Sequence, residues 1–126
     1  MKALVIESSK TMRAVLRRML SMRGFEVSGA VNSQQAVDVL QKMGTSDLVL
    51  VDWNPRETER LEFIARLRRK AARNAIIIML TMAEPAEREL HGALIAGADD
   101  CLMKPFTSLQ FDEKLERAGI IPQWGR

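Results

Sequence analysis

Leu48-Val49-Leu50-Val51-Asp52 decides the fold: four apolar residues in a row, then a carboxylate. A strand that is apolar at every position is buried on both faces, as a central strand of a parallel sheet is. An acid directly after such a run stands at the strand's carboxyl end. Two more segments repeat the pattern. Ile76-Ile77-Ile78-Met79-Leu80 runs into Thr81, and Cys101-Leu102-Met103 runs into Lys104-Pro105. Carboxyl ends of parallel strands share one edge of the sheet, where open α/β folds bind their ligands. An acid, a hydroxyl and an amine are therefore expected to converge there. That set suits capture of a phosphoryl group. A carboxylate can act as nucleophile, while a hydroxyl and an ammonium hold the phosphoryl oxygens.

On either side of this run, strand and helix patterns alternate. Ala3–Ile6 is a short apolar run. Met12, Val15, Leu16, Met19 and Leu20 follow at helical spacing, and Gly24 stops that helix. Phe25–Val31 reads as the second strand, and Ser33 as the cap of a helix to about Met43, with Ala36, Val37 and Leu40 inward. Leu61, Ile64, Ala65 and Leu67 mark a third helix. Pro85 starts a fourth, with Leu90, Leu94 and Ile95 inward and Gly97 closing it. Thr107 or Ser108 caps a last helix to about Ala118, and residues 119–126 form a short tail with Trp124. Such βαβ alternation predicts a parallel sheet with helices on both faces and right-handed crossovers. The reading assigns one domain to residues 1–118.

The 126 residues are 47% hydrophobic and 28% charged, the composition of an ordinary globular domain and not of a disordered chain. No apolar run approaches the roughly 20 residues that cross a bilayer, and no targeting segment is evident, so the cytoplasm is the expected compartment. A single cysteine, Cys101, excludes an internal disulfide and a cysteine-pair metal site. Net charge is +3. Arg13, Arg17, Arg18 and Arg23 fall in the first helical pattern. Arg66, Arg68, Arg69, Lys70 and Arg73 crowd the end of the third. These basic groups read as a solvated face with favourable cations near a helix C-terminus. No aromatic residues interleave with them and no nucleic-acid motif appears, which argues against nucleic acid as a partner. The eight methionines are expected mostly at core-facing positions, where they fill gaps, with Met12 and Met22 partly exposed. His91, the one histidine, reads as solvated.

Taken in order, Val5-Ile6-Glu7 with Ser8-Ser9-Lys10-Thr11-Met12-Arg13, Leu50-Val51-Asp52-Trp53-Asn54, Leu80-Thr81, and Ala96-Gly97-Ala98-Asp99-Asp100 leading to Lys104-Pro105-Phe106 resemble the receiver domains of two-component response regulators, most closely the single-domain chemotaxis type. The resemblance implies a flavodoxin-like α/β/α sandwich around a five-stranded parallel sheet of order 2-1-3-4-5. It implies that Asp52 is the phosphoacceptor, charged by a sensor histidine kinase or phosphotransfer protein. The protein would be a switch with at most slow self-dephosphorylation, not a turnover enzyme. Mg2+ would be held by Glu7, Asp52, the backbone carbonyl of Asn54 and the position of Ser8. Thr81 and Lys104 would contact the phosphoryl group, and the Lys104–Pro105 peptide bond would be cis. The fourth helix, fifth strand and fifth helix would form the surface for a downstream protein target, with Glu87, Glu89, His91, Lys114 and Arg117 as candidates. The chain would act as a monomer or homodimer.

Four departures bear on that expectation. The usual acidic pair is Glu7-Ser8, and a neutral hydroxyl at the second position implies weak Mg2+ binding. Ser8 and Ser9 are also both candidates to cap the first helix. In the loop Trp53–Arg60 the proline comes one place early and Arg60 replaces a usual glycine. Arg56 there either contacts phosphate or is solvated, the latter favoured. Met82 replaces a small residue beside Thr81. Cys101 stands where the family often has an aromatic switch residue, and its thiol reads as a small buried hydrophobe. The competing reading is a degenerate pseudo-receiver that binds partners without phosphorylation. A flavin or nucleotide binder fares worst, because no glycine-rich cradle follows the first strand.

Overall fold

The computed structural model describes residues 1–44, 46–53, 60–70, 75–81 and 87–123. Strands and helices alternate: β1 (Lys2–Ile6), α1 (Lys10–Met22), β2 (Glu26–Ala30), α2 (Ser33–Met43), β3 (Leu48–Trp53), α3 (Arg60–Lys70), β4 (Ile76–Thr81), α4 (Glu87–Ala96), β5 (Asp100–Met103) and α5 (Ser108–Arg117). The strands form one parallel sheet of order β2-β1-β3-β4-β5, the flavodoxin-like arrangement.

The uniform hydrophobicity of β3 follows from this position. Successive strand side chains point to opposite faces. Val49 and Val51, with Leu4, Ile6 and Ile77, pack against Ala36 and Leu40 of α2, Ile64 and Leu67 of α3, and Ala93 of α4. Leu48 and Leu50, with Ala3, Val5, Ile78, Leu80 and Leu102, pack against Leu16 and Leu20 of α1 and Phe111 and Leu115 of α5. Two cores thus share only the sheet.

Caps set the helix starts. Ser9 caps α1, accepting from the Met12 N–H at 3.2 Å, which leaves Ser8 outside that role. Asn32, not Ser33, caps α2: its extended backbone lets the side chain accept from the Gln35 N–H at 2.9 Å, and Ser33 is already helical. Thr107 caps α5 in a reciprocal pair with Gln110, and Ser108 is the first helical residue. Gly24, at φ +87°, takes the left-handed conformation that turns the chain from α1 into β2.

Several sequence expectations need correction. Leu94 and Ile95 do not face inward; Ile95 is 75% exposed, because α4 turns Leu90 and Ala93 to the sheet and 95 falls on the far side. Val15 is exposed too, one position off the Leu16–Leu20 stripe. Among the described side chains no methionine is buried. Met12, Met19 and Met43 edge the cores, and Met22 and Met103 are exposed.

Arg23 departs most from the picture of a solvated basic face. It is 1% exposed. Its Nε donates to Asp112 Oδ1 at 2.6 Å, Nη1 to the Met19 carbonyl at 2.9 Å and Nη2 to Ser108 Oγ at 2.6 Å, with the guanidinium 5.0 Å over the Phe111 ring. The end of α1 is thereby latched to the start of α5. Beyond α5, Ile120 enters the same core and the Gln123 N–H donates to the Arg23 carbonyl at 3.0 Å. Arg68 is also structural: it donates to the carbonyls of Ala75 and Gly97 and to Asp99, whose carboxylate also accepts from the Ile77 N–H at 2.8 Å. Both arginines were indistinguishable from surface charges in sequence because their side-chain acceptors, Asp112 and Ser108 for Arg23 and Asp99 for Arg68, lie far along the chain.

Removing the buried cation should therefore matter more than removing a helix isoleucine. Arg23→Ala is expected to cost about 3 kcal/mol, since it strands Asp112, and Ile95→Ala to stay within about 0.5 kcal/mol. Urea denaturation of the two variants checks the ranking.

Candidate functional site

The site is assembled by register. Ile6 pairs with Val51, so Glu7, one residue on, stands level with Asp52. Asp52 lies opposite Leu80, and Trp53 opposite Thr81, which in turn lies opposite Met103. Lys104 follows Met103 directly. The sheet order reverses direction between β1 and β3, and the crevice at such a reversal is where the two carboxylates meet.

Lys104 reaches both. Its Nζ lies 2.9 Å from Asp52 Oδ1 and 3.6 Å from Glu7 Oε1. Lys104 and Glu7 are nearly enclosed, while Asp52, at 28% exposure, remains open to an incoming reagent. Two carboxylates thus share one ammonium. The result shows in Glu7, whose carboxyl is pushed above its ordinary value, first by burial, then by the hydrogen bond and negative charge of Asp52. Lys104 and the Ser8 backbone only partly offset this.

Two carboxylates facing one ammonium are the structural test of a cation site. Hard carboxylate oxygens suit Mg2+, which is commonly held by one or two carboxylates with water completing the shell. Glu7 and Asp52 fit that requirement. Ser8 is exposed and brings no charge. Among the described residues no group of three or more histidine, cysteine, aspartate or glutamate side chains is placed to hold a metal. Asn54, Arg56, Met82 and Trp124 lie outside the described residues. Thr81 ends β4 at the site's edge of the sheet, with its side chain outside those described.

The Lys104–Pro105 peptide bond is cis. Cys101 is half-buried on β5, packed against the core that α2, α3 and α4 share. Asp100 beside it accepts from its N–H and from Lys114 Nζ at 3.0 Å. Lys114 is thus engaged, while Glu87, Glu89, His91 and Arg117 are exposed. One contact escaped the sequence reading, which counted Arg13 as part of a charged helix face: Arg13 Nη1 donates to the Glu7 carbonyl at 2.9 Å. The available signal was Gly29, a glycine inside a strand.

The raised Glu7 carboxyl has a signed consequence. In the absence of divalent cations, the folded chain holds this proton more tightly than the unfolded chain. Glu7 therefore costs stability increasingly as pH rises from its ordinary value of 4.5 through the raised one. Glu7→Gln mimics the protonated form. Its melting temperature relative to the native chain is expected to increase as pH rises from 5 to 8, measured by thermal melts in chelator; a flat or falling difference contradicts the assignment.

Comparisons with known proteins identify the family. The family model described as "Response regulator receiver domain" matches residues 3–116. Chemotaxis protein CheY1 of Helicobacter pylori is 32% identical over 117 residues, covering 92% of this chain and 94% of that protein. Among solved structures, chemotaxis protein CheY4 of Vibrio cholerae superposes with a TM-score of 0.81 at 26% identity, covering 93% of this chain and 97% of that one. A response regulator from Thermotoga maritima gives a TM-score of 0.78 at 27% identity, with 93% and 95% covered. The chain belongs to the response regulator receiver domain family and resembles its chemotaxis-type members.

Proposed function

We propose that the chain is a phosphoacceptor switch: Asp52 takes a phosphoryl group from a histidine kinase or phosphotransfer protein, and the change alters partner binding through α4, β5 and α5. The observation that carries this reading is the Asp52 carboxylate at the open end of β3, 2.9 Å from the Lys104 ammonium and level with Glu7. The receiver unit on this reading is residues 1–118, followed by the short segment 119–126.

An Asp52 oxygen attacks phosphorus as the bond to the donor imidazole nitrogen breaks. That nitrogen keeps the bonding pair, and the product is an aspartyl phosphate with a free histidine. Little covalent assistance is needed, so catalysis lies in position and charge. Lys104 is already within an ion-pair distance of Asp52 and neutralises the equatorial phosphoryl oxygens. Thr81 supplies a hydroxyl at the adjacent strand end. Receiver domains of this family generally bind Mg2+ here; held by Glu7, Asp52 and the Asn54 carbonyl, it would neutralise further charge on the phosphoryl group. Ser8 leaves that cation with one carboxylate fewer, hence weaker affinity. The chain then acts as acceptor and switch without turnover, as monomer or homodimer.

Two observations support a second reading, a pseudo-receiver that binds its partner without phosphorylation: the neutral, exposed Ser8, and Cys101, too small for an aromatic side chain's inward swing.

Tryptophan fluorescence separates the two, because Trp53 adjoins Asp52 in sequence. Titrating Mg2+ and then beryllofluoride, an acyl-phosphate mimic, is expected to give a saturable change that disappears in Asp52→Asn, a control needed because Trp124 also contributes signal. Ser8→Asp should tighten Mg2+ binding about tenfold by restoring ligand charge. No response at high Mg2+ from folded protein would favour the pseudo-receiver.

A further inference from the structure

Gly29 sits inside β2, paired with Val5. A glycine within a strand forfeits packing and marks close approach by another group. Its backbone is not left-handed, so the reason for glycine is space. A Cβ at this position would stand 3.2 Å from Arg13 Cδ and 3.2 Å from Arg17 Nη1. The notch lets the Arg13 stem lie against β2. From there Nη1 donates to the Glu7 carbonyl at 2.9 Å. On its other side, the Glu7 N–H donates to the Ala30 carbonyl, also in β2, at 3.0 Å. Both backbone polar groups of Glu7 are therefore fixed, one to the sheet and one to helix α1, just where its side chain turns toward Lys104 and Asp52.

We propose that Arg13 is a positioning residue for the Asp52 site, acting through Glu7, and that Gly29 is the notch that admits it. This rests on the reading of Glu7 and Asp52 as the cation- and phosphoryl-binding pair. The chain has particular need of such a clamp. With Ser8 neutral, Glu7 carries the charge that an acidic pair would share. Glutamate also has one more rotatable bond than aspartate and loses more freedom when held. A backbone fixed at both N–H and carbonyl removes part of that disorder beforehand. An arginine suits the task, since its apolar stem can cover the strand while its planar head aims a donor.

The test is a Mg2+ titration, by calorimetry and Trp53 fluorescence, of the native chain, Arg13→Ala, Arg13→Lys, Gly29→Val and Asp52→Asn, with thermal melts in chelator run alongside. Arg13→Ala and Gly29→Val are expected to weaken Mg2+ binding by roughly 10- to 100-fold, the usual range for a group that orients a ligand. Arg13→Lys should recover part of it. Gly29→Val keeps the arginine but closes the notch, so it tests the same geometry should Arg13→Ala fail to fold. An Arg13→Ala dissociation constant within twofold of the native value overturns the proposal, whatever happens to the melting temperature. If native binding depends on Asp52 but not on Arg13, only this inference falls. If it is absent or independent of Asp52, the site reading falls and takes the inference with it.

Discussion

One ammonium between two carboxylates is the constraint on which the rest of the site depends. Lys104 satisfies Asp52 closely and Glu7 loosely, while burial and the neighbouring Asp52 raise the Glu7 carboxyl. A closed ion pair would be inert. An open one, with Asp52 still accessible, is a place where a cation or an anionic group with its counterion lowers the free energy. Because the three residues come from the ends of β1, β3 and β5, the strand register must hold to within one residue for them to meet. The central sheet is therefore the part of the chain that tolerates least disturbance.

The packing meets that demand by isolating the two faces. Helices α2, α3 and α4 lean on one set of alternate strand residues, and α1 and α5 on the other. Each face then has its own polar fastening. Arg23 joins α1 to α5, while Arg68 joins α3 to the turns before β4 and β5. Arg68 also ties down the chain next to Asp99, whose carboxylate closes the start of β4 through the Ile77 N–H. These arginines order the frame; the lysine at the strand ends pairs with two carboxylates.

Much of this was legible in the sequence, for definite reasons. The run Leu48–Val51 could belong only to a strand covered on both sides, and strand–helix alternation left a parallel sheet as its natural setting. Asp52, Thr81 and Lys104 were placed on one edge because each ended such a run. What hydropathy could not show was direction and reach. Ile95 looked like core because it is apolar, yet its helical angle points it outward. Arg23 looked like surface because it is charged, although Asp112 and Ser108, its partners, are 89 and 85 residues away. Asn32 and Ser33 are equally good caps chemically, and only the backbone angles distinguish them. Arg13 was hidden for a different reason: its acceptor is a nearby main-chain carbonyl, which no side-chain pattern reports.

The burial of Arg23 also sets how the fold responds to its solvent. Dissolved ions screen charges they can surround, and they scarcely reach a guanidinium enclosed by Phe111, Ser108 and Asp112. The Arg68–Asp99 and Lys114–Asp100 pairs are more open and weaken as ionic strength rises. In concentrated salt, then, the link from α3 to Asp99 and the link from α5 to Asp100 weaken while the α1–α5 seam at Arg23 keeps its own. Ionic strength would loosen these two open links before the enclosed α1–α5 seam, so the molecule softens unevenly.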